Sequence, residues 1–136
     1  MRRCLDTTFL SPLVRGEPSA TDLLRGWGHR GEETVTTEVN YFEVALGIEA
    51  TRGRQARDRY AAAWAGVLET VEVLPLTRRA TLEAVRRQAL LMGRGASSAL
   101  PDLLAAAIAK VGGCDAIVTR NVRDFERIGL LPVARH

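Results

Sequence analysis

At 136 residues, 46% of them apolar and none in a low-complexity tract, the chain is sized for one domain with a real hydrophobic core rather than for a disordered segment. Its 18 arginines and single lysine, Lys110, face 16 acids for a net charge of +3, which permits an anionic partner without demanding one. Two cysteines, Cys4 and Cys114, exclude a disulfide framework or a zinc site, and no apolar run approaches bilayer length.

Arg2 to Thr7 reads as a strand that stops at Asp6, and a short helix from about Phe9 to Val14 follows, broken by Gly16 and Pro18. With Arg2 and Arg3 leading into a strand, no signal peptide is expected, which predicts a cytoplasmic protein with no membrane contact. Ser19 with Asp22 has the form of a capping box, predicting a helix toward Trp27 that Gly26-Trp27-Gly28-His29-Arg30-Gly31 ends. That glycine run matches a dinucleotide-binding fingerprint by letter, but it follows a helix rather than a strand and so fails the required context. Val35 between threonines predicts the second strand.

Val39, Phe42 and Leu46 then recur as the stripe of a half-buried helix, with Glu43 at its edge. Tyr60, Trp64, Val67 and Leu68 mark another helix from about Arg54, and Val71 to Leu74 a strand ended by Pro75. Leu82, Val85, Ala89 and Met92 predict an amphipathic helix, and Gly93 to Ser98 a loop. Pro101 to Val111 is apolar nearly all round and predicts the most buried helix, with Pro101 at its first position. A strand at Ala116 to Thr119, a helical turn at Val122 to Arg127 and an edge strand at Leu130 to Val133 complete the chain. Strands alternating with helices predict one α/β domain over residues 1–136, a three-layer α/β/α arrangement around a mostly parallel sheet.

Four acids stand where this pattern calls for apolar residues or strand ends: Asp6, Glu43, Asp102 and Asp124. Ligand sites in such sheets lie beyond the carboxyl ends of the strands, near the switch in strand order, which is where Asp6 and the segment Asn121 to Asp124 leave their strands. Carboxylates without histidine or cysteine nearby suit hard cations, Mg²⁺ or Mn²⁺ rather than Zn²⁺. Such ions bridge to phosphate oxygens and activate water, so metal-assisted phosphodiester hydrolysis is the expected reaction.

Asp6-Thr7-Thr8, the inward Glu43, Asp102 ahead of an alanine-rich helix, and Thr119-Arg120-Asn121-Val122-Arg123-Asp124-Phe125 together resemble the motifs of PIN-domain proteins, above all VapC-type toxins of toxin–antitoxin pairs. The resemblance runs from Arg2 to about Val133. It implies a Mg²⁺-dependent endoribonuclease, a homodimer held inactive by a cognate antitoxin that enters the acidic cleft. Asp6, Glu43 and Asp102 would form the metal site, with Thr7 or Thr8 and Thr119 orienting a carboxylate or water. The fourth acidic position holds Asn121, which brings a carbonyl but no charge. Asp124 is favoured as the fourth acid, with Asn121 assisting.

Each acid also has an ordinary reading. Asp6 and Asp124 could cap turns, Asp102 could answer a helix dipole, and Glu43 could pair with an arginine. Arg120 and Arg123 flank the proposed site and are candidates for holding an RNA backbone, whereas His29 and His136 are expected to be solvated. Two rival functions stay open: a PIN-like RNA- or protein-binding module that has lost catalysis, and an aspartyl-nucleophile phosphatase. The second wants an acid where Thr8 stands.

Overall fold

Five short strands, β1 (Arg2–Leu5), β2 (Glu33–Thr37), β3 (Glu72–Leu74), β4 (Ala116–Thr119) and β5 (Val133–Arg135), form one sheet in the order β3-β2-β1-β4-β5, as seen in a computed structural model that describes residues 1–136. Every pairing is parallel. The chain winds outward from β1 through β2 to β3, then returns across β1 to lay down β4, so the strand order reverses between β1 and β4. That reversal opens a crevice at the carboxyl ends of these two strands.

Seven helices cover the sheet: α1 (Thr7–Val14), α2 (Pro18–His29), α3 (Glu38–Glu49), α4 (Arg54–Leu68), α5 (Arg78–Gly93), α6 (Leu100–Val111) and α7 (Val122–Ile128). The pleat sends successive side chains to opposite faces. Leu5 and Val118 thus join one core with Phe9, Trp27 and Trp64, while Cys4 and Ile117 join the other with Ala107, Ile108 and Phe125. Helix α6 is the most buried, as its composition requires, with Ala105 to Ala109 all inaccessible. Its end packs so tightly on β3 that a β-carbon on Gly112 would stand 2.6 Å from Leu74 Cδ1.

Several elements depart from the sequence expectation. Helix α1 begins at Thr7 rather than Phe9, because the Asp6 side chain accepts from Thr8 N and caps it. Helix α2 starts at Pro18, whose fixed φ and missing N–H suit a first turn. Ser19 therefore lies inside the helix and forms no capping box, and the first cap residue, Glu17, makes no side-chain bond. Gly26 and Gly28 are carried within α2 because Trp27 between them is buried.

The apolar stripes of α3 and α5 face the wrong way for a monomer core. In α3 the buried residues are Asn40, Val44 and Ile48, whereas Phe42 and Leu46 are 64% and 55% exposed. In α5, Ala80, Ala84 and Leu91 turn inward while Leu82, Val85 and Met92 lie out. Small residues let α5 approach α6 closely, and the larger ones are displaced to the surface. Strand β5 starts after Pro132, later than expected, and Leu130 fills the core instead.

Candidate active site

Asp6 follows β1 and, at 4% exposed, is the one acidic or basic residue buried in the chain. Its Oδ1 accepts from Thr8 N at 2.9 Å and Thr8 Oγ1 at 2.6 Å, and its Oδ2 accepts from Thr119 Oγ1 at 2.6 Å. A carboxylate oxygen only accepts, so in each of these short contacts the hydroxyl is the donor. Thr8 Oγ1 also receives Arg120 N at 2.8 Å, and Thr119 Oγ1 receives Asn121 N at 2.8 Å. Burial pushes the Asp6 carboxyl above its ordinary range, and the bonds from Thr119 and Thr8 only partly offset this.

Asp102 occupies the first turn of α6, where the helix dipole favours a negative charge. Asn121 Nδ2 donates to its Oδ2 at 3.2 Å. Desolvation raises the Asp102 carboxyl, and the negative charges of Glu43, Asp124 and Asp6 raise it further. The fold has thus brought the four acids into one field. Through Thr119 and Asn121, hydrogen bonds run without a break from Asp6 to Asp102 across the crevice between β1 and β4.

Glu43 projects from α3 and accepts from Thr7 Oγ1 at 2.6 Å. It forms no ion pair with an arginine, and neither do Asp6 and Asp102; the excess of negative charge here is met only by neutral donors. Asp124 is different. Its side chain is 44% exposed and stands 3.7 Å from Arg127 Nη1, one turn along α7. It shares a cavity of about 200 Å³ with Ser98, Ala99, Asp102, Arg127 and Ile128. Asn121 is the residue before α7 but makes no side-chain cap, its amide being turned to Asp102.

No three acids, histidines or cysteines are drawn together tightly enough to make a ready metal cage. Mg²⁺ does not require one, since it commonly takes one or two carboxylates and completes its sphere with water. Asp6 Oδ2 retains a lone pair beside its bond to Thr119, Glu43 has an oxygen beyond the one taken by Thr7, and Asp102 Oδ1 is unbonded. Hard oxygen donors with uncompensated charge fit a divalent cation of that type.

Of the two arginines singled out, Arg120 pairs with Glu17 at 3.6 Å beside the cleft, and Arg123 is exposed on α7. Sequence reasoning missed two residues here. His136 is not solvated: its ring meets Phe9 edge-on at 5.0 Å and its Nε2 lies 3.5 Å from Thr8 Oγ1. Asn40 is 3% exposed and donates from Nδ2 to Thr7 Oγ1 at 3.1 Å. Its spacing of three residues before Glu43, on one helical face, was the available signal.

A family model described as PIN domain matches residues 3–131. A comparison with curated proteins finds no match. Among solved structures, the chain is similar to VapBC2 from Rickettsia felis, solved bound to a promoter DNA fragment, with a TM-score of 0.87 and 18% identity over 100% of this chain and 99% of that one. It is also similar to the DNA-bound VapBC of Salmonella typhimurium, with a TM-score of 0.83 and 22% identity over 99% and 98% of the two chains. A third similar structure is VapBC-5 of Mycobacterium tuberculosis, a member of the VapBC family of toxin–antitoxin systems, with a TM-score of 0.69 and 23% identity over 98% and 96%. At these identities the likeness establishes a shared fold.

Proposed function

This chain is a member of the PIN domain family, and on that footing we propose that it is a Mg²⁺-dependent endoribonuclease, the toxin of a type II toxin–antitoxin pair. The observation that carries the reading is the pairing of Asp6 and Asp102 across the strand-order switch, both with raised carboxyls and neither with a cationic partner. Structural purposes alone would favour neutral residues at both places, because an uncompensated buried carboxylate is costly. Asp6, Glu43 and Asp102 hold the cation, Mg²⁺ or Mn²⁺, with Asp124 completing the set from α7.

When bound, the cation supplies the Lewis-acid charge that activates water and neutralises the scissile phosphate. The protein's own groups do the rest. Thr8 and Thr119 fix the Asp6 carboxylate, and Thr7 fixes that of Glu43. Asn121 aligns Asp102. Arg120 and Arg123, flanking the cleft, hold neighbouring phosphates of the RNA. A cognate antitoxin would fill the same cleft with a basic side chain, matching its excess negative charge. The likeness to solved VapBC complexes supports that partner.

Outside the cleft, α5 and α6 flank an apolar groove of about 390 Å³ that includes Val85, Met92 and Leu104. A second, of about 360 Å³, runs past Phe42 and Leu76 and shares Leu100 and Leu104 with the first. An apolar surface of this extent is uncommon on a monomer and supports a homodimer built on α3, α5 and α6. Expected from the reading is cleavage of RNA that needs Mg²⁺, is stopped by EDTA, and is lost in Asp6→Asn. Cleavage by Asp6→Asn at the wild-type rate would sink the assignment.

One observation favours a second reading. With Asn121 bonded to Asp102 in the fourth position, the cleft could serve an RNA- or protein-binding module without catalysis. Calorimetry separates the two, because that module would take up no Mn²⁺ at millimolar concentration.

A further inference from the structure

Asn40 is the only buried side-chain amide in the chain, and its bonds have a direction. Thr37 caps α3 by accepting from Asn40 N at 3.2 Å, and its hydroxyl proton goes to Asn40 Oδ1 at 2.7 Å. With Oδ1 held there, the amide cannot flip, and Nδ2 must point at Thr7 Oγ1. A hydroxyl has one proton; because Thr7 receives a bond from Asn40, its own proton is released to Glu43 Oε1. Thr37, Asn40, Thr7 and Glu43 therefore form a single relay in which the direction of each bond is assigned. It ends on the Glu43 carboxylate, one oxygen of which is taken by Thr7 while the other makes no bond within the chain.

We infer that Asn40 is a positioning residue that acts through Thr7 to fix the Glu43 carboxylate for cation binding. This rests on Glu43 belonging to the acidic site proposed above. A side chain that served only packing at this place would be apolar like Val44 and Ile48, its neighbours on the buried face of α3. The Asn40 amide offers both an acceptor to Thr37 and a donor to Thr7, which no apolar side chain does. Partners that orient a metal-binding carboxylate typically change affinity by 10–100-fold when removed.

The test is Mn²⁺ calorimetry on the full chain, with thermal unfolding run beside it. Asn40→Ala and Thr7→Val should each weaken Mn²⁺ binding by about tenfold. The double variant should be no weaker than the worse single one, since both break the same relay. Thr7→Ser, which keeps the hydroxyl, should bind like wild type. In cleavage assays at fixed Mg²⁺, kcat should fall while KM for RNA holds. Thr7→Val keeps the shape of threonine and reports even where Asn40→Ala fails to fold. Wild-type Mn²⁺ affinity in Thr7→Val, or losses that add in the double variant, would overturn the relay while leaving the acidic site in place. Absence of Mn²⁺ binding by the wild type would overturn the acidic site and the relay together.

Discussion

The two sides of the cleft are built on different terms. Around Asp6 both hydroxyl donors also accept from a backbone amide, Arg120 N for Thr8 and Asn121 N for Thr119, so the arrangement is anchored to the backbone at the ends of β1 and β4. Around Asp102 the carboxyl is half-buried, carries one bond of 3.2 Å from a side-chain amide, and feels three other acids. One side is a fixed point that the fold cannot relax. The other is held loosely and gains most from a cation, because there repulsion between acids is relieved rather than hydrogen bonds exchanged. Glu43 belongs with the fixed side in its short bond to Thr7, but its orientation depends on a side chain, Asn40.

Breaking the fixed side should have the largest effect. Asp6→Asn is expected to lose all Mg²⁺-dependent cleavage while unfolding a few degrees higher than wild type in EDTA, since it removes a buried charge. A melting curve beside an RNA cleavage assay checks both halves. Asp102→Asn should follow, with activity lower by at least about a hundredfold, the upper end of what even indirect partners of a metal contribute. Its gain in stability without metal should be smaller than that of Asp6→Asn, as a half-exposed charge costs less to keep.

The loose side can be sharpened by adding charge. Asn121→Asp exchanges the bond to Asp102 for a further repulsion, so it should lower the melting point in EDTA and tighten Mn²⁺ binding roughly three- to tenfold at this partly exposed place. Opposite signs for stability and affinity are the signature of a carboxylate that faces a cation. Asp124→Asn should weaken binding by less than Asp102→Asn does, because Asp124 is near 44% exposed and already close to Arg127. Equal losses from the two would place Asp124 on a par with Asp102.

These differences mark what could be read from the sequence. The placement of Asp6 after β1 and of Asn121 after β4, and the burial of α6, follow from local pattern, whereas the strand order that brings the ends of β1 and β4 side by side does not. The faces of α3 and α5 were not legible. Periodicity locates an apolar stripe but not what covers it, and Phe42, Leu46, Val85 and Met92 point away from the core toward a surface. Asn40 was harder to read for a related reason: its spacing from Glu43 put it on the same helical face, but its partner Thr7 is 33 positions away. His136 likewise meets Phe9 and Thr8 from the far end of the chain.

The smallest effect expected is one of pH, and the two sides share it. An acid whose carboxyl is raised in the folded state holds its proton more firmly folded than unfolded, so its anion opposes folding at neutral pH and the penalty is relieved as pH falls through the raised value toward the ordinary aspartate range. Asp6 and Asp102 both act this way. Glu32, lowered chiefly by its bond from Arg3, acts oppositely, its contribution fading only as pH falls through its lowered value. In EDTA the advantage of Asp102→Asn over wild type should therefore shrink as pH falls through the raised Asp102 value toward the ordinary aspartate range. Mg²⁺ should stabilise the wild type by mass action at neutral pH and lose that effect over the same interval, because protonated carboxyls no longer bind it. A melting-point series in pH, with and without Mg²⁺, follows both trends. A constant Mg²⁺ effect across the interval would show that the cation is bound by groups other than these two aspartates.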